Sequence, residues 1–350
     1  MGMCPLTRYR ATDDHIPTPD FKDYYSQRGS VPGTLLISEG TFIAPEHGGY
    51  ANAPGIYNDV QIKAWRGVTD AVHAEGSFIF CQLWALGRTA SVEVAERENI
   101  AFRSSSDIAL DSQHPAPTPY TIEEIKVVAQ QYAQAAKNAI EAGFDGVELH
   151  GANGYLIDQF VQGVCNRRTD AYGGSVENRS RFAVEVAQAV CEAIGADRTG
   201  IRFSPWSVYN AMRMENPIQQ FTDVIKRMNA LKLAYVHLVE SRIAGASDVE
   251  AADSLAFAIE AREGPVLIAG GYTPETARQA VDKEYPDRDV VVMFGRYFIS
   301  TPDLPFRIQS NLELNKYDRS TFYTPMSPIG YIDYPFSDEF AKKSLFAKSG

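Results

Sequence analysis

The sequence predicts one (β/α)8 TIM barrel, and three observations carry the prediction. Short runs rich in β-branched residues alternate with amphipathic stretches along the 350 residues, and with the apolar start at residues 3–6 they number eight. Each run is nearly continuous in apolar residues, the pattern of parallel strands covered by helices. The rival doubly wound sheet calls for a Gly-x-Gly-x-x-Gly turn directly after its first strand, and no such turn is present. No linker rich in Pro, Gly or Ser divides the chain and no solenoid repeat recurs, so residues 1–350 form a single domain.

After the start at 3–6, the expected strands are 34–39, 77–83, 146–150, 200–204, 235–240, 265–270 and 290–295. The clearest helix opens at Thr121, where Thr121 and Glu124 have the spacing of a capping box. Ile125, Val128, Ala129, Tyr132, Ala135, Ala136 and Ala139 then mark its buried stripe, and Gly143 stops it. Another helix begins at Thr273-Pro274, a cap residue followed by the favoured first-turn proline. A long excursion, 87–121, follows the third strand and includes the polar run 104–106 and the proline-rich 115–119. On a barrel such a loop leaves the catalytic face, so it reads as a substrate lid or as a plain surface excursion.

Composition narrows the function. There are 33 Lys+Arg against 44 Asp+Glu, a net charge of −11, and no basic cluster, which argues against nucleic acid and against an anionic membrane surface as partners. Hydrophobic residues at 45% and charged residues at 22% match a globular chain. No apolar run approaches the ~20 residues of a membrane span, and no signal-peptide core opens the chain. Cys4, Cys81, Cys165 and Cys191 are far apart and the six histidines are scattered, so no metal site or disulfide framework is expected and a cytoplasmic setting is the default.

On a barrel, polar residues just past the carboxyl ends of the strands line the active site. Those ends read Ser38-Glu39-Gly40, Gln82-Leu83-Trp84, His150-Gly151-Ala152-Asn153-Gly154-Tyr155, Arg202-Phe203-Ser204, Ala269-Gly270-Gly271 and Gly295-Arg296. His150 and Asn153 offer two N–H donors for one carbonyl oxygen, and Tyr155 offers a weak acid. Backbone bonding of His150 and core packing of Tyr155 are the plainer alternative. Gly270, Gly271, Gly295 and Arg296 close the two strands whose loops commonly hold phosphate, although strand-end glycines also make ordinary turns. Arg202, on an apolar strand, needs an anion at the barrel mouth or a salt bridge to Glu39 or Glu148. Gln82 can face a planar heterocycle or bond neighbouring strands, and Trp84 is either substrate wall or core.

Taken together, Pro5-Leu6-Thr7-Arg8, Gln82-Leu83-Trp84, His150 to Leu156, Arg168 to Arg179 and Phe294-Gly295-Arg296 resemble the signatures of the old yellow enzyme family of flavin-dependent ene-reductases, in order along nearly the whole chain. Residues 82–88 and 300–306 look closest to the filamentous-fungal branch, which includes enzymes of ergot-alkaloid pathways. The resemblance implies FMN, with Pro5, Thr7, Gly40, Gln82 and Arg202 along its ring, Gly270, Gly271, Gly295 and Arg296 at its phosphate and Phe322 beside it. It implies NADPH as electron donor and an enone or enal as substrate, reduced in a ping-pong hydride transfer. His150 and Asn153 then bind the substrate carbonyl, Tyr155 donates the proton, and Trp84, Tyr209 and Tyr323 surround the substrate. In the ergot-type branch a Phe at this tyrosine position goes with isomerisation, so Tyr155 favours a reductase.

Family members usually begin with a hairpin below the barrel and the front of strand one, whereas this chain opens at Met1 already inside that strand. An exposed lower mouth and weaker FMN binding are the corresponding expectations. Two other readings stand beside reduction: isomerisation or oxidation without net NADPH use, and a flavin-free binding barrel. A monomer or a homodimer is expected.

Overall fold

A computed structural model describes residues 1–244, 247–250 and 253–348 of the chain. Its centre is a closed parallel barrel: β1 Gly2–Met3, β2 Leu35–Ile37, β3 Phe78–Trp84, β4 Gly146–His150, β5 Thr199–Phe203, β6 Tyr235–Val239, β7 Val266–Ala269 and β8 Val290–Phe294. Each strand pairs with the next, and β1 closes the ring by pairing Gly2 with both Leu35 and Met293. The expected strand at 3–6 is therefore shifted toward the start and shorter. Past Met3 only the Cys4 N–H continues the ladder, to the carbonyl of Phe294, because Pro5 has no N–H to donate. The other strands fall within two residues of their expected ends.

Helices cover the outside. They include α1 Pro19–Arg28, α2 Asp59–Ala74, α3 Ile122–Glu141, α4 Val176–Ile194 and α5 Pro217–Leu231. The capping box at Thr121 and Glu124 forms as the spacing predicts, and Ile125, Val128, Tyr132 and Ala136 on α3 are buried against the strands. The Thr273 start is also present, but its helix is short, Pro274–Gln279, and runs into a wider turn at Ala280–Glu284.

Inside the barrel, side chains alternate with those that face the helices. Ile37, Tyr235, Leu267 and Met293 fill the lower interior, with Leu35, Phe80 and Val291 packed against them. Higher up the interior turns polar. Register places Gln82 beside Glu148, and His150 beside Arg202, which in turn pairs with His237.

The excursion at 87–121 differs from a lid. Ser104 and Ser105 are fully buried and donate to the side chain and the carbonyl of Gln159, each at 2.8 Å. Ser106 accepts from the backbone of Arg167 at 2.8 Å. These bonds fasten the loop to the helix Leu156–Val161, and none of its residues lines the cavity described below. A run of three serines reads as exposed loop in a sequence because its hydrogen-bond partners lie some 55 residues further on.

Candidate active site

A cavity of about 900 Å³ opens at the carboxyl ends of the strands. Pro5, Thr7, Gln82, Trp84, His150, Asn153, Tyr155, Arg202, Tyr209, Gly270, Gly271, Gly295, Arg296, Phe322 and Tyr323 all line it. Gly40 does not. A Cβ there would stand 2.5 Å from the Trp84 ring, so this glycine lets the indole lie against the β2 end.

The floor is built by the polar layer of the barrel. Gln82 donates its backbone N–H to Ser38 Oγ at 3.0 Å, and its side-chain Nε2 donates to Glu148 Oε1 at 2.8 Å. The second oxygen of Glu148 lies 2.7 Å from His237 Nδ1, with both side chains fully buried. Arg202, beside them, forms no ion pair among the described residues, and its Nε is buried without a partner. Neither Glu39 nor Glu148 neutralises it: Glu39 instead takes the Arg8 N–H and lies against the Tyr25 hydroxyl. An unpaired guanidinium at the bottom of a cavity calls for an anionic or electron-rich ligand.

The catalytic-face loop after β4 is held from several sides. Asn153 adopts a left-handed backbone, φ 58°, with its N–H bound to Ser204 Oγ at 2.7 Å and its carbonyl accepting from Asn210 Nδ2 at 2.9 Å. The Gly154 N–H donates to Asp158 at 2.8 Å. Tyr155 then caps the helix Leu156–Val161 and packs edge-on against Trp84, centroids 4.9 Å apart at 90°. His150 lies 4.9 Å from the Tyr155 ring, and its Nδ1 has no partner among the described residues. Of the plainer alternative, the His150 half fails, since its ring bonds no backbone among the described residues, while the Tyr155 half holds in part: Tyr155 packs in a buried cluster with Phe42, Ala53 and Trp84 and also lines the cavity.

Protonation follows from burial. Desolvation, then the nearby Arg202 and His237, hold His150 well below its usual value, so it is a neutral imidazole at neutral pH. Desolvation, then Tyr50, Tyr209 and Tyr9, push Tyr155 well above the ordinary phenol range, so it keeps its proton. The site thus holds neutral donors around an uncharged acid.

At the other end lies an anion cradle. Gly270 and Gly271 have φ of 135° and 66°, and a Cβ on Gly270 would meet Glu240 at 2.6 Å. The N–H groups of Gly271 and Gly295 find no partner among the described residues. Arg296 sets its two terminal nitrogens on the two oxygens of Asp248, each at 2.6 Å, and Arg319 adds a third contact at 2.8 Å. A fork that holds a carboxylate this way has the geometry to hold a phosphate. Between cradle and floor, Pro5, Leu6, Met293, Phe294 and Phe322 provide an apolar slot. Unpartnered N–H groups, a guanidinium fork, an apolar slot and an unpaired floor cation fit a flavin mononucleotide, whose phosphate the cradle residues would hold and whose ring Arg202 and Gln82 would meet.

Several site residues have no signal among the strand ends. Tyr9 sits two residues past Thr7 and lines the mouth with Tyr323, centroids 5.7 Å apart, so the strand period continued beyond Thr7 would have found it. Tyr50, whose ring packs edge-on against Trp84 with centroids 5.5 Å apart, comes from an irregular stretch without a pattern. Asp248 and His237 have no distinguishing neighbours in sequence.

Known proteins give the same picture. Residues 1–315 match the NADH:flavin oxidoreductase / NADH oxidase family. A chanoclavine-I aldehyde reductase of Penicillium roqueforti is 58% identical over 98% of this chain and 94% of its own. An NADP-dependent oxidoreductase of Aspergillus flavus is 50% identical over 96% and 92%. A Claviceps purpurea protein named probable inactive dehydrogenase is 45% identical over 97% and 91%. The crystal structure of Old Yellow Enzyme from Pichia sp. superposes with a TM-score of 0.90 at 37% identity, covering 96% of this chain and 89% of that one. With the barrel, the flavin-shaped cavity and these matches in agreement, the chain belongs to the NADH:flavin oxidoreductase / NADH oxidase family, as an FMN-dependent NAD(P)H oxidoreductase of the old yellow enzyme type.

Proposed function

We propose that the protein reduces the C=C bond of α,β-unsaturated aldehydes or ketones, with NADPH as electron donor, in fungal secondary metabolism. The observation that carries the reading is the convergence of His150, Asn153 and Tyr155 on one wall of the cavity, two neutral donors and one protonated phenol. Bound FMN supplies the chemistry of accepting hydride from the nicotinamide and passing it to the substrate. His150 and Asn153 take the carbonyl oxygen, stabilising the negative charge that grows on it as the β-carbon is reduced. A neutral His150 suits this task, since it hydrogen-bonds the oxygen without passing it a proton. Tyr155 donates its proton to the α-carbon, where a phenol of high pKa is strong enough only once carbanion character has developed. Arg202 and Gln82 would hold the ring, and Gly271, Gly295 and Arg296 would hold the phosphate. Trp84, Tyr209 and Tyr323, with Tyr9, form an aromatic mouth that suits a planar conjugated substrate.

The names of the P. roqueforti and A. flavus relatives, an aldehyde reductase and an NADP-dependent oxidoreductase, support the substrate class and the donor. The test is an anaerobic titration of the purified protein with NADPH. Loss of flavin absorption, restored on adding an enal such as cinnamaldehyde, supports the reading; a reduced flavin that no enal or enone reoxidises contradicts it.

A further inference from the structure

The fully buried Glu148 sits beside Gln82 in the barrel register, outside the cavity lining, and is used by none of the steps above. Its two oxygens are both committed, one to Gln82 Nε2 at 2.8 Å and one to His237 Nδ1 at 2.7 Å. A carboxylate only accepts, so the amide nitrogen of Gln82 must be the atom that faces it. The amide plane then carries its oxygen on the other side. Gln82 lines the cavity, and that oxygen makes no hydrogen bond with any described residue. A glutamine free to turn would offer either end to a ligand with equal ease; this one is keyed.

We propose that Glu148 is a positioning residue that fixes the Gln82 amide with its oxygen toward the cavity, so that the floor selects a ring edge presenting an N–H donor. Such an edge is the imide of a flavin, in which one N–H stands between two carbonyls, and the inference rests on the FMN reading of the cavity. His237 completes the device. Its ring, buried and held below its ordinary pKa, reaches the Glu148 oxygen that Gln82 leaves free and keeps the carboxylate from turning away. A glutamine at position 148 has an NH2 group of its own. Its amide can face Gln82 with either end, the His237 ring changing tautomer to match because its Nε2 has no partner among the described residues, so Gln82 is no longer fixed with its acceptor toward the cavity.

The experiment titrates apoprotein with FMN and with N3-methyl-FMN, which lacks the imide N–H, following flavin fluorescence. In Glu148→Gln, FMN binding is expected to weaken roughly tenfold while N3-methyl-FMN binding stays as in the unaltered protein, the size of one lost hydrogen bond. Equal weakening of both flavins, or no change in either, overturns the proposal, because a purely structural role moves both together. Should Glu148→Gln not yield apoprotein with the native circular dichroism, Gln82→Leu serves: selective loss of FMN affinity supports the keyed acceptor, and equal loss of both overturns it. Failure of the unaltered apoprotein to bind FMN at all would instead remove the cofactor reading beneath it.

Discussion

Asp248 occupies both terminal nitrogens of Arg296, at 2.6 Å each, in the fork proposed to hold the phosphate of a bound flavin. The carboxyl is correspondingly held below its usual pKa by Arg296 and then Arg319, although it is largely exposed. Cofactor phosphate and Asp248 therefore compete for one guanidinium. Asp248→Asn is expected to tighten FMN binding several-fold, and Arg296→Ala to weaken it at least tenfold. Fluorescence titration of the two apoproteins checks both; equal affinity in Asp248→Asn and the parent would mean that the pair does not compete.

Tyr155→Phe removes the phenolic proton and keeps the ring against Trp84. Reduction of the flavin by NADPH should continue at the parent rate, while reoxidation by an enone slows by about 10² or more, the usual weight of a positioned general acid. Stopped-flow measurement of the two half-reactions separates these. Loss of both together would assign Tyr155 to cofactor binding.

Asn210 is not part of the chemistry, but its Nδ2 holds the Asn153 carbonyl at 2.9 Å across a turn in which Asn210, Ala211 and Arg213 all have positive φ. Asn210→Ala leaves that carbonyl unpaired and should cost about 1 kcal/mol of stability. It should also raise the KM for enones, through a looser Asn153, without altering the reductive half-reaction. A change in the rate of flavin reduction would argue against this division.

Glu39 makes the fold sensitive to alkali. Burial lifts its carboxyl from 4.5 to about 8 in the folded chain, against the Arg8 and Arg10 charges that pull it down. Between those pH values the folded state keeps a proton that the unfolded chain gives up, so the Glu39 contribution is full below about pH 4.5 and is lost as pH rises through 8. The urea midpoint of the parent should therefore fall between pH 5 and pH 8.5 more steeply than that of Glu39→Gln. Parallel slopes would show that Glu39 is ionised in the folded protein.

The barrel and most of its cavity are legible because both are local in sequence. A parallel strand announces itself by a run of Val, Ile and Leu, and the residue that ends it announces the site. His150, Arg202 and Gly270 are found this way. What the pattern misses depends on contacts across the chain. Glu148 reads in the sequence as a salt-bridge alternative for Arg202, and its actual partners emerge only when Gln82 and His237, the latter 89 positions away, are seen at its two oxygens. Gly40 reads as part of the site for the same kind of reason in reverse: it ends a strand as a site residue does, but Trp84 stands over it. The serines 104–106 look like exposed loop because Gln159 and Arg167 are not visible from their own segment.

Everything proposed for the wall formed by His150, Asn153 and Tyr155 turns on reduction of a conjugated C=C bond. An anaerobic product balance tests it most directly, with NADPH followed by absorbance and the product of a simple enal identified by mass and NMR. One saturated aldehyde formed for each NADPH consumed is the predicted result. A rearranged product without NADPH consumption, or an allylic alcohol formed by reduction of the carbonyl instead, would contradict it.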